Sequence, residues 1–286
     1  MTRMMYNMKS KKLPMVSVVM STYNEPLKWV KQAIESILQQ TYQNIEFVIV
    51  IDDPSNFPVV EYINSISSVR VIENKENMGL VKSLNKALQM AQGQYIARMD
   101  ADDISLPNRI EKQMDFLLKN KLDLCGSNIE IFDEKKSIPS KVCLHDQYLK
   151  KVLRYEGGIP HPTWVSKREV YENLGGYRDI DACEDYDFLA RAALKGYLFG
   201  NLKEITLRYR DNRNSISHLK LTKQLETARL IGMAYKCGKE MNLEVYSHCG
   251  LDSHSKIKKI SLEFYKIRRR IYRRTIFEQE QRRGDD

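Results

Sequence analysis

Tyr95-Ile96-Ala97-Arg98-Met99-Asp100-Ala101-Asp102-Asp103 decides the reading of this chain: an apolar run that reads as a strand, followed at once by a cluster of carboxylates. Side chains on an extended strand alternate faces, so Asp100 and Asp102 are expected to point the same way. Two such carboxylates repel unless a cation sits between them, and Mg²⁺ is commonly held by one or two protein carboxylates together with substrate phosphates. The stretch therefore fits a metal-diphosphate site. The competing reading is an acidic surface turn ahead of a helix, with Asp103 near the helix dipole and Pro107 helping to start the helix. An Asp-x-Asp triplet alone does not choose between them.

The flanking sequence repeats one pattern. Val16-Ser17-Val18-Val19-Met20 reads as a strand ending in Ser21-Thr22-Tyr23-Asn24, and Val30, Ala33, Ile34, Ile37 and Leu38 then recur at helical spacing. A second buried-strand pattern, Ile45 to Ile51, ends in Asp52-Asp53-Pro54, and Val69-Arg70-Val71-Ile72 is a third. Between Gly79 and Gly93, the residues Leu80, Leu84, Ala87, Leu88 and Ala91 form one helical stripe, with Gly93 expected as its C-cap. Strands alternating with helices imply βαβ units and a parallel sheet covered on both faces, whose ligands lie beyond the carboxyl ends of the strands. All three polar clusters fall at those ends. There is no Gly-x-Gly-x-x-Gly and no Gly-x-x-x-x-Gly-Lys-Ser/Thr, so phosphates are expected to bind mainly through a metal.

Bulk properties set the class. A chain of 286 residues that is 42% hydrophobic and 29% charged suits one large α/β domain with an appendage. Its five cysteines (Cys125, Cys143, Cys183, Cys237 and Cys249) are scattered, with neither zinc spacing nor a disulfide framework, which fits a reducing cytoplasm. Neither a signal peptide nor an 18-residue apolar run is found. The net charge of +9 is concentrated at positions 256–274, which hold nine basic residues and one acid; without them 37 basic and 36 acidic residues remain. There Ile257, Ile260, Phe264, Ile267 and Ile271 step by three and four beneath a basic face. Such a helix suits an anionic membrane surface, or else docks on the body with a solvated basic back. Nucleic acid is not expected as a partner, because stacking aromatics are not interleaved through the tail.

Ser17-Val18-Val19-Met20-Ser21-Thr22-Tyr23-Asn24, Ser36-Ile37-Leu38-Gln39-Gln40-Thr41-Tyr42, Asn77-Met78-Gly79, Asp100-Ala101-Asp102-Asp103 and Glu184-Asp185 together resemble glycosyltransferase family 2, in order and approximate spacing. Bacterial surface-polysaccharide and capsule glycosyltransferases are the members it is most similar to. The resemblance implies a GT-A-type α/β fold, a mostly parallel central sheet flanked by helices, here with a helical C-terminal extension. It places an N-terminal extension at 1–14, a catalytic domain at 15–218 (nucleotide-sugar half 15–110, acceptor half 111–218) and a basic helical region at 219–286. It also implies inverting transfer of a hexosyl or N-acetylhexosaminyl group from an NDP-sugar, most commonly a UDP-sugar, with Mn²⁺ or Mg²⁺. The acceptor would be a saccharide or lipid-linked precursor at the cytoplasmic face of the membrane. One departure is the turn after the second strand, where Pro54-Ser55-Asn56-Phe57 stands in place of the family's Gly-Ser.

Carried over by position, Ser21 and Tyr23 resemble the residues framing the nucleobase, Asp53 the carboxylate that binds the base, Asp100 the ribose-side residue and Asp102 the metal ligand. For Asp52 a capping role and a functional one stand level. Sugar transfer to a hydroxyl needs a general base, and the resemblance assigns it to Asp185, with Glu184 as a neighbour that raises its pKa or positions the acceptor. His161 is an acceptor-site candidate or a structural histidine, and His218 a candidate for the diphosphate. Lys82 and Arg109 read as solvated helix-face charges, as do Arg191 and Lys195. The rival readings are a nucleotidyltransferase on a similar sheet, which would ordinarily carry a Gly-rich phosphate loop, and a non-catalytic basic membrane- or RNA-binding protein.

Overall fold

A computed structural model describes residues 13–180, 182–212, 220–244 and 256–283, the last stretch with side chains from 263 to 282. In chain order the strands are β1 (Val16–Thr22), β2 (Ile45–Ile51), β3 (Arg70–Glu73), β4 (Tyr95–Asp100), β5 (Ile104–Ser105), β6 (Leu124–Phe132), β7 (Ser137–Pro139), β8 (Val165–Lys167) and β9 (Phe199–Arg210). The helices are α1 (Leu27–Leu38), α2 (Phe57–Asn64), α3 (Leu80–Met90), α4 (Arg109–Lys119), α5 (Asp146–Val152), α6 (Arg168–Leu174), α7 (Glu184–Leu194), α8 (Leu221–Lys236) and α9 (Lys256–Arg283). One mixed sheet runs in the order β3-β2-β1-β4-β8-β6-β9-β5, with β7 beside β6. The first four strands are all parallel; β8 enters antiparallel between β4 and β6, and β5 antiparallel to β9.

The period of two along the parallel strands divides the core. Val18, Met20, Phe47, Ile49 and Ile51 pack with α1, α2 and α4, whereas Val19, Val48 and Val50 face α3 and, beyond it, α6 and α7. Truncating a fully buried member such as Ile34 or Ile49 to alanine would cost about 2–5 kcal/mol.

Two local readings change in the structure. Helix α3 ends at Met90, so Gly93 is not its C-cap. A Cβ at Gly93 would lie 2.6 Å from the Ser17 nitrogen and 2.8 Å from the Met15 oxygen; glycine is required there by close approach to β1. Arg191 is buried, not on the outer face of α7: its guanidinium bonds Asp187 and the carbonyls of Leu174 and Gly176, which end α6. A buried arginine is tolerable when paired in this way, and Arg178 reaches the same carboxylate.

The C-terminal helix docks, though not through Phe264, Ile267 and Ile271, the described members of the apolar stripe. Tyr272 packs on Tyr155 at 4.3 Å between ring centroids, Ile276 is buried, and the Glu280 carboxylate accepts the backbone N–H groups of Leu144 and His145. The opposite face carries Phe264, Ile267 and Ile271, which are 63%, 52% and 61% exposed. No helix among the described residues is long and apolar enough to cross a membrane. Cys249, the segment 1–12 and the expected boundary at 218 lie outside the described residues.

Candidate active site

Parallel pairing brings three strand ends level. Ser21 stands opposite Asp100 on β4 and Val50 on β2, and the Asp52 N–H donates to the Thr22 carbonyl at 2.9 Å. Beyond them the chain reverses: Asn24 has φ +61°, and Tyr23 projects half-exposed from the edge. Glu25 holds this turn, accepting from the Thr22 hydroxyl at 2.7 Å and the Tyr23 N–H at 2.6 Å. Burial, with Asp102 nearby, pushes its carboxyl up to about 7.

The two adjacent aspartates after β2 divide between structure and site. Asp52 is buried, its carboxylate taking the Met78 and Gly79 N–H groups at 2.8 and 2.9 Å and the Asn74 amide at 2.7 Å. It therefore caps the loop before α3, where Gly79 turns at φ +85°. Asp53 remains at the surface; one oxygen accepts the Ser55 N–H at 3.0 Å in a local turn.

The acidic stretch is a turn and not a continued strand. β4 stops at Asp100 and the chain bends at Ala101 and Asp102, so the shared face expected for Asp100 and Asp102 gives way to proximity across a turn. Asp103 also departs from expectation. It lies fully buried ahead of β5 and not at the start of α4, and its Oδ1 accepts the Arg210 N–H at 2.9 Å. Gln40 anchors the segment from Ser105 to Ile110, donating to Ser105 Oγ and the Leu106 carbonyl and accepting from the Ile110 N–H.

Two arginines flank this turn from inside. Arg98 is buried and ion-paired with Asp100, and Arg109, expected at the surface, is fully buried with its guanidinium against the Arg98 carbonyl. Arg210, laid over the Trp29 and Phe132 rings, donates to the Asp102 carbonyl at 2.7 Å. Even so, burial and the Asp100 charge push the Asp102 carboxyl up to about 6. The buried Asp103 Oδ2 has no hydrogen-bond partner among the described residues. Even with three arginines around the turn, the carboxyls of Asp102 and Asp103 are both raised and an oxygen of Asp103 is orphaned, which fits a divalent cation. No group of three ligating side chains occurs among the described residues, so the cation would take its remaining ligands from a diphosphate and water.

The second cluster opens α7. Glu184 is buried and its carboxyl is pushed up to about 8, first by burial and then by Asp185. Asp185 is raised too, by burial and by Asp100, against the Tyr186 N–H that its Oδ1 accepts at 2.7 Å. That Asp100 and Arg98 act on both carboxyls joins this cluster to the acidic turn. Asp185 also lines a cavity of about 400 Å³, with Gly157, His161, Gln224, Arg269 and Arg273 on other walls. His161 sits in that wall largely buried, its Nε2 sharing a hydrogen bond of 2.8 Å with the Tyr177 hydroxyl. Burial and Arg98 hold it well below the usual histidine range, hence neutral. His218 lies outside the described residues. Lys82 is exposed on α3 as expected.

The model of the family described as "Glycosyl transferase family 2" matches residues 17–175. This chain belongs to glycosyl transferase family 2. Within the family, the O-antigen biosynthesis glycosyltransferase WbnJ of Escherichia coli is 32% identical over 71% of this chain and 82% of its own length. Two solved structures share the GT-A fold. S. aureus TarS 1–349 in complex with UDP-GlcNAc has a TM-score of 0.61 at 14% identity, over 94% of this chain and 92% of that one. The mannosyltransferase PcManGT from Pyrobaculum calidifontis, in complex with GDP-Man and Mn²⁺, has a TM-score of 0.59 at 15% identity, over 95% and 87%.

Sequence reading passed over three residues of the candidate site. Glu25 had a visible signal in Ser21-Thr22-Tyr23-Asn24-Glu25-Pro26, and Arg98 another, a cation inside an otherwise apolar strand. Arg210 had none, because only pairing of β5 with β9 brings it to the acidic turn.

Proposed function

We propose that this glycosyltransferase moves a hexosyl or N-acetylhexosaminyl group from a UDP-sugar to a saccharide or lipid-linked acceptor in surface polysaccharide synthesis, inverting the anomeric carbon. The observation that carries the reading is the position of Asp185: it lines a cavity on one side and lies within the electrostatic reach of Asp100 on the other. A base for the acceptor and a carboxylate turn for the donor thus meet at one place.

In this reading Tyr23 offers its half-exposed ring to the nucleobase, Ser21 and Asp53 frame it, and Asp100 takes the ribose side. Asp102 holds Mn²⁺ or Mg²⁺ together with the diphosphate. When bound, the cation supplies Lewis-acid stabilisation of charge on the departing nucleoside diphosphate. Asp185 accepts the proton of the acceptor hydroxyl as the oxygen attacks the anomeric carbon, and the raised pKa of its carboxyl makes it the stronger base. Glu184, close beside it and itself raised to about 8, positions the acceptor. The exposed apolar face of α9, flanked by Arg268, Arg270 and Arg274, suits peripheral attachment to an anionic bilayer on its cytoplasmic side.

The test is thermal stabilisation of the full chain by a panel of UDP- and GDP-sugars with and without Mn²⁺. A ligand at 100 times its dissociation constant stabilises by about 2.7 kcal/mol, a shift of several degrees. Cation-dependent stabilisation by a UDP-sugar is expected. No stabilisation by any nucleotide sugar would overturn the reading.

A further inference from the structure

The cavity that Asp185 lines has its far wall on the C-terminal helix. Arg269 and Arg273, one turn apart on α9, project into it and both contact one carboxylate, Glu156, at 3.2 and 3.5 Å. The Glu156 side chain is 14% exposed, and burial raises its pKa in spite of the two arginines. One carboxylate neutralises one guanidinium, so the group keeps a positive charge, to which Lys141 in the same cavity adds. On the other side of the same trio lies a second cavity, of about 330 Å³, where Lys266, itself paired with Glu263 at 2.6 Å, and Arg270 join Arg269 and Arg273 around Glu156. Five basic residues therefore surround two adjoining spaces, one of which ends at Asp185.

Such a wall recognises a particular chemistry. Guanidinium forks bind phosphate oxygens through paired N–H donors, and a wall whose cations outnumber its carboxylates draws an anion to itself. A neutral sugar would gain nothing from it. We propose that Arg269 and Arg273 form an anion subsite of the acceptor pocket, so that the acceptor carries a phosphate or diphosphate ester seated on α9 while its free hydroxyl is presented to Asp185. The assignment of a hydroxyl to Asp185 rests on the proposed function; the anion subsite itself does not. Glu156 occupies the same donors in the unliganded protein and competes with the incoming anion. The family model ends at residue 175, so Arg269 and Arg273, unlike Glu156, lie outside what it describes and belong to this chain's own C-terminal helix.

The test is calorimetric titration of the full-length protein with geranyl diphosphate and with glucose 1-phosphate, and with geraniol and octyl glucoside as neutral controls. Saturable binding of at least one phosphate ester and of neither control is expected. Arg269→Gln and Arg273→Gln should each weaken that binding at least 10-fold, and Glu156→Gln should strengthen it at least 3-fold. UDP affinity should stay within 2-fold in all three. Arg269→Lys and Arg273→Lys keep the charge and should retain most of the binding, which covers the case of a glutamine variant that does not fold. Preference for geranyl diphosphate would place the phosphate on a lipid carrier, and preference for glucose 1-phosphate on the sugar. If UDP binds but neither ester does, or if the glutamine variants bind the esters as wild type does, the subsite is overturned. If arginine-dependent ester binding is found without any nucleotide binding, the subsite stands and the proposed function falls.

Discussion

Arg98 pairs with Asp100 two residues further along the same face of β4, the guanidinium sealed in the core and the carboxylate opening to the site, with side chains 1% and 29% exposed. The arrangement places a fixed positive charge beneath a turn of three aspartates. It orients Asp100 and, at the same time, reaches Glu184 and Asp185 across the site. Replacing Arg98 by methionine keeps the volume but leaves those carboxyls without their buried countercharge. Removing one partner of such a pair costs about 3–5 kcal/mol. A melting temperature lower by about 6 °C or more is expected by calorimetry, with Arg98→Lys recovering part of it. A melt within a degree of wild type would show that the pair carries no structural weight.

The surroundings of Asp102 resist its charged form, since burial and Asp100 both raise its pKa, to about 6. Asp102→Asn should therefore leave the apo protein as stable as wild type or slightly more so, a usual trade at a functional site. The same change should abolish Mn²⁺-dependent affinity for UDP. Undiminished cation-dependent binding in the variant would remove Asp102 from the metal site.

The general-base assignment makes a separate demand. Asp185→Asn retains the hydrogen bond to the Tyr186 N–H and removes the basic oxygen. UDP-sugar binding should persist while transfer falls by about 10² or more. Transfer within a few-fold of wild type would reduce Asp185 to a helix cap.

How far the sequence reached depends on whether chemistry was local. The first four strands, and the helices after the first and third of them, were legible because each apolar run ends in a polar cluster where a parallel strand must stop, although α2 and the turn at 100–102 were not expected. The glutamate and aspartate at the start of α7 were legible for the same local reason. Predictions for long basic side chains failed as well: Arg109 and Arg191 fit solvated helix faces by spacing, yet both are buried because carbonyls and carboxylates from distant segments receive them. Periodicity reports which residues share a face, and not what arrives to cover it. The tail shows this most plainly, since Phe264, Ile267 and Ile271 of the expected stripe share an exposed face of α9, but tyrosines, an isoleucine and a glutamate on the other face are what dock.

Glu184 gives the apo protein an unusual dependence on pH. Its carboxyl is pushed up to about 8 from the ordinary 4.5, so the native state holds a proton that the unfolded chain releases. Stability then falls as pH rises through that window, from about 4.5 to 8. The wild-type protein should melt several degrees lower at about pH 8.5 than at about pH 6.5, and Glu184→Gln, which mimics the protonated acid, should flatten the difference. An identical pH slope in the variant would assign the effect to another group.

The exposed apolar face of α9 and the face that docks on the body are separate. Ile276 and Glu280 are buried against α5 and the segment before it, with the Glu280 carboxylate also receiving His145 Nδ1 at 2.9 Å. Deleting α9 would therefore damage the fold as well as any lipid contact, and point changes are the informative ones. Glu280→Ala strands the Leu144 and His145 N–H groups and should cost about 1–3 kcal/mol of stability. Joint replacement of Phe264, Ile267 and Ile271 by serine touches only the exposed face and should leave the melting temperature within about a degree. The triple variant should nevertheless be released from anionic vesicles in co-sedimentation, while wild type stays bound through the apolar stripe and flanking arginines, each of the latter worth about 1 kcal/mol near such a surface. If the triple variant pellets with anionic vesicles as wild type does, the bilayer contact lies elsewhere on the molecule; if wild type does not pellet at all, α9 has no role at the membrane.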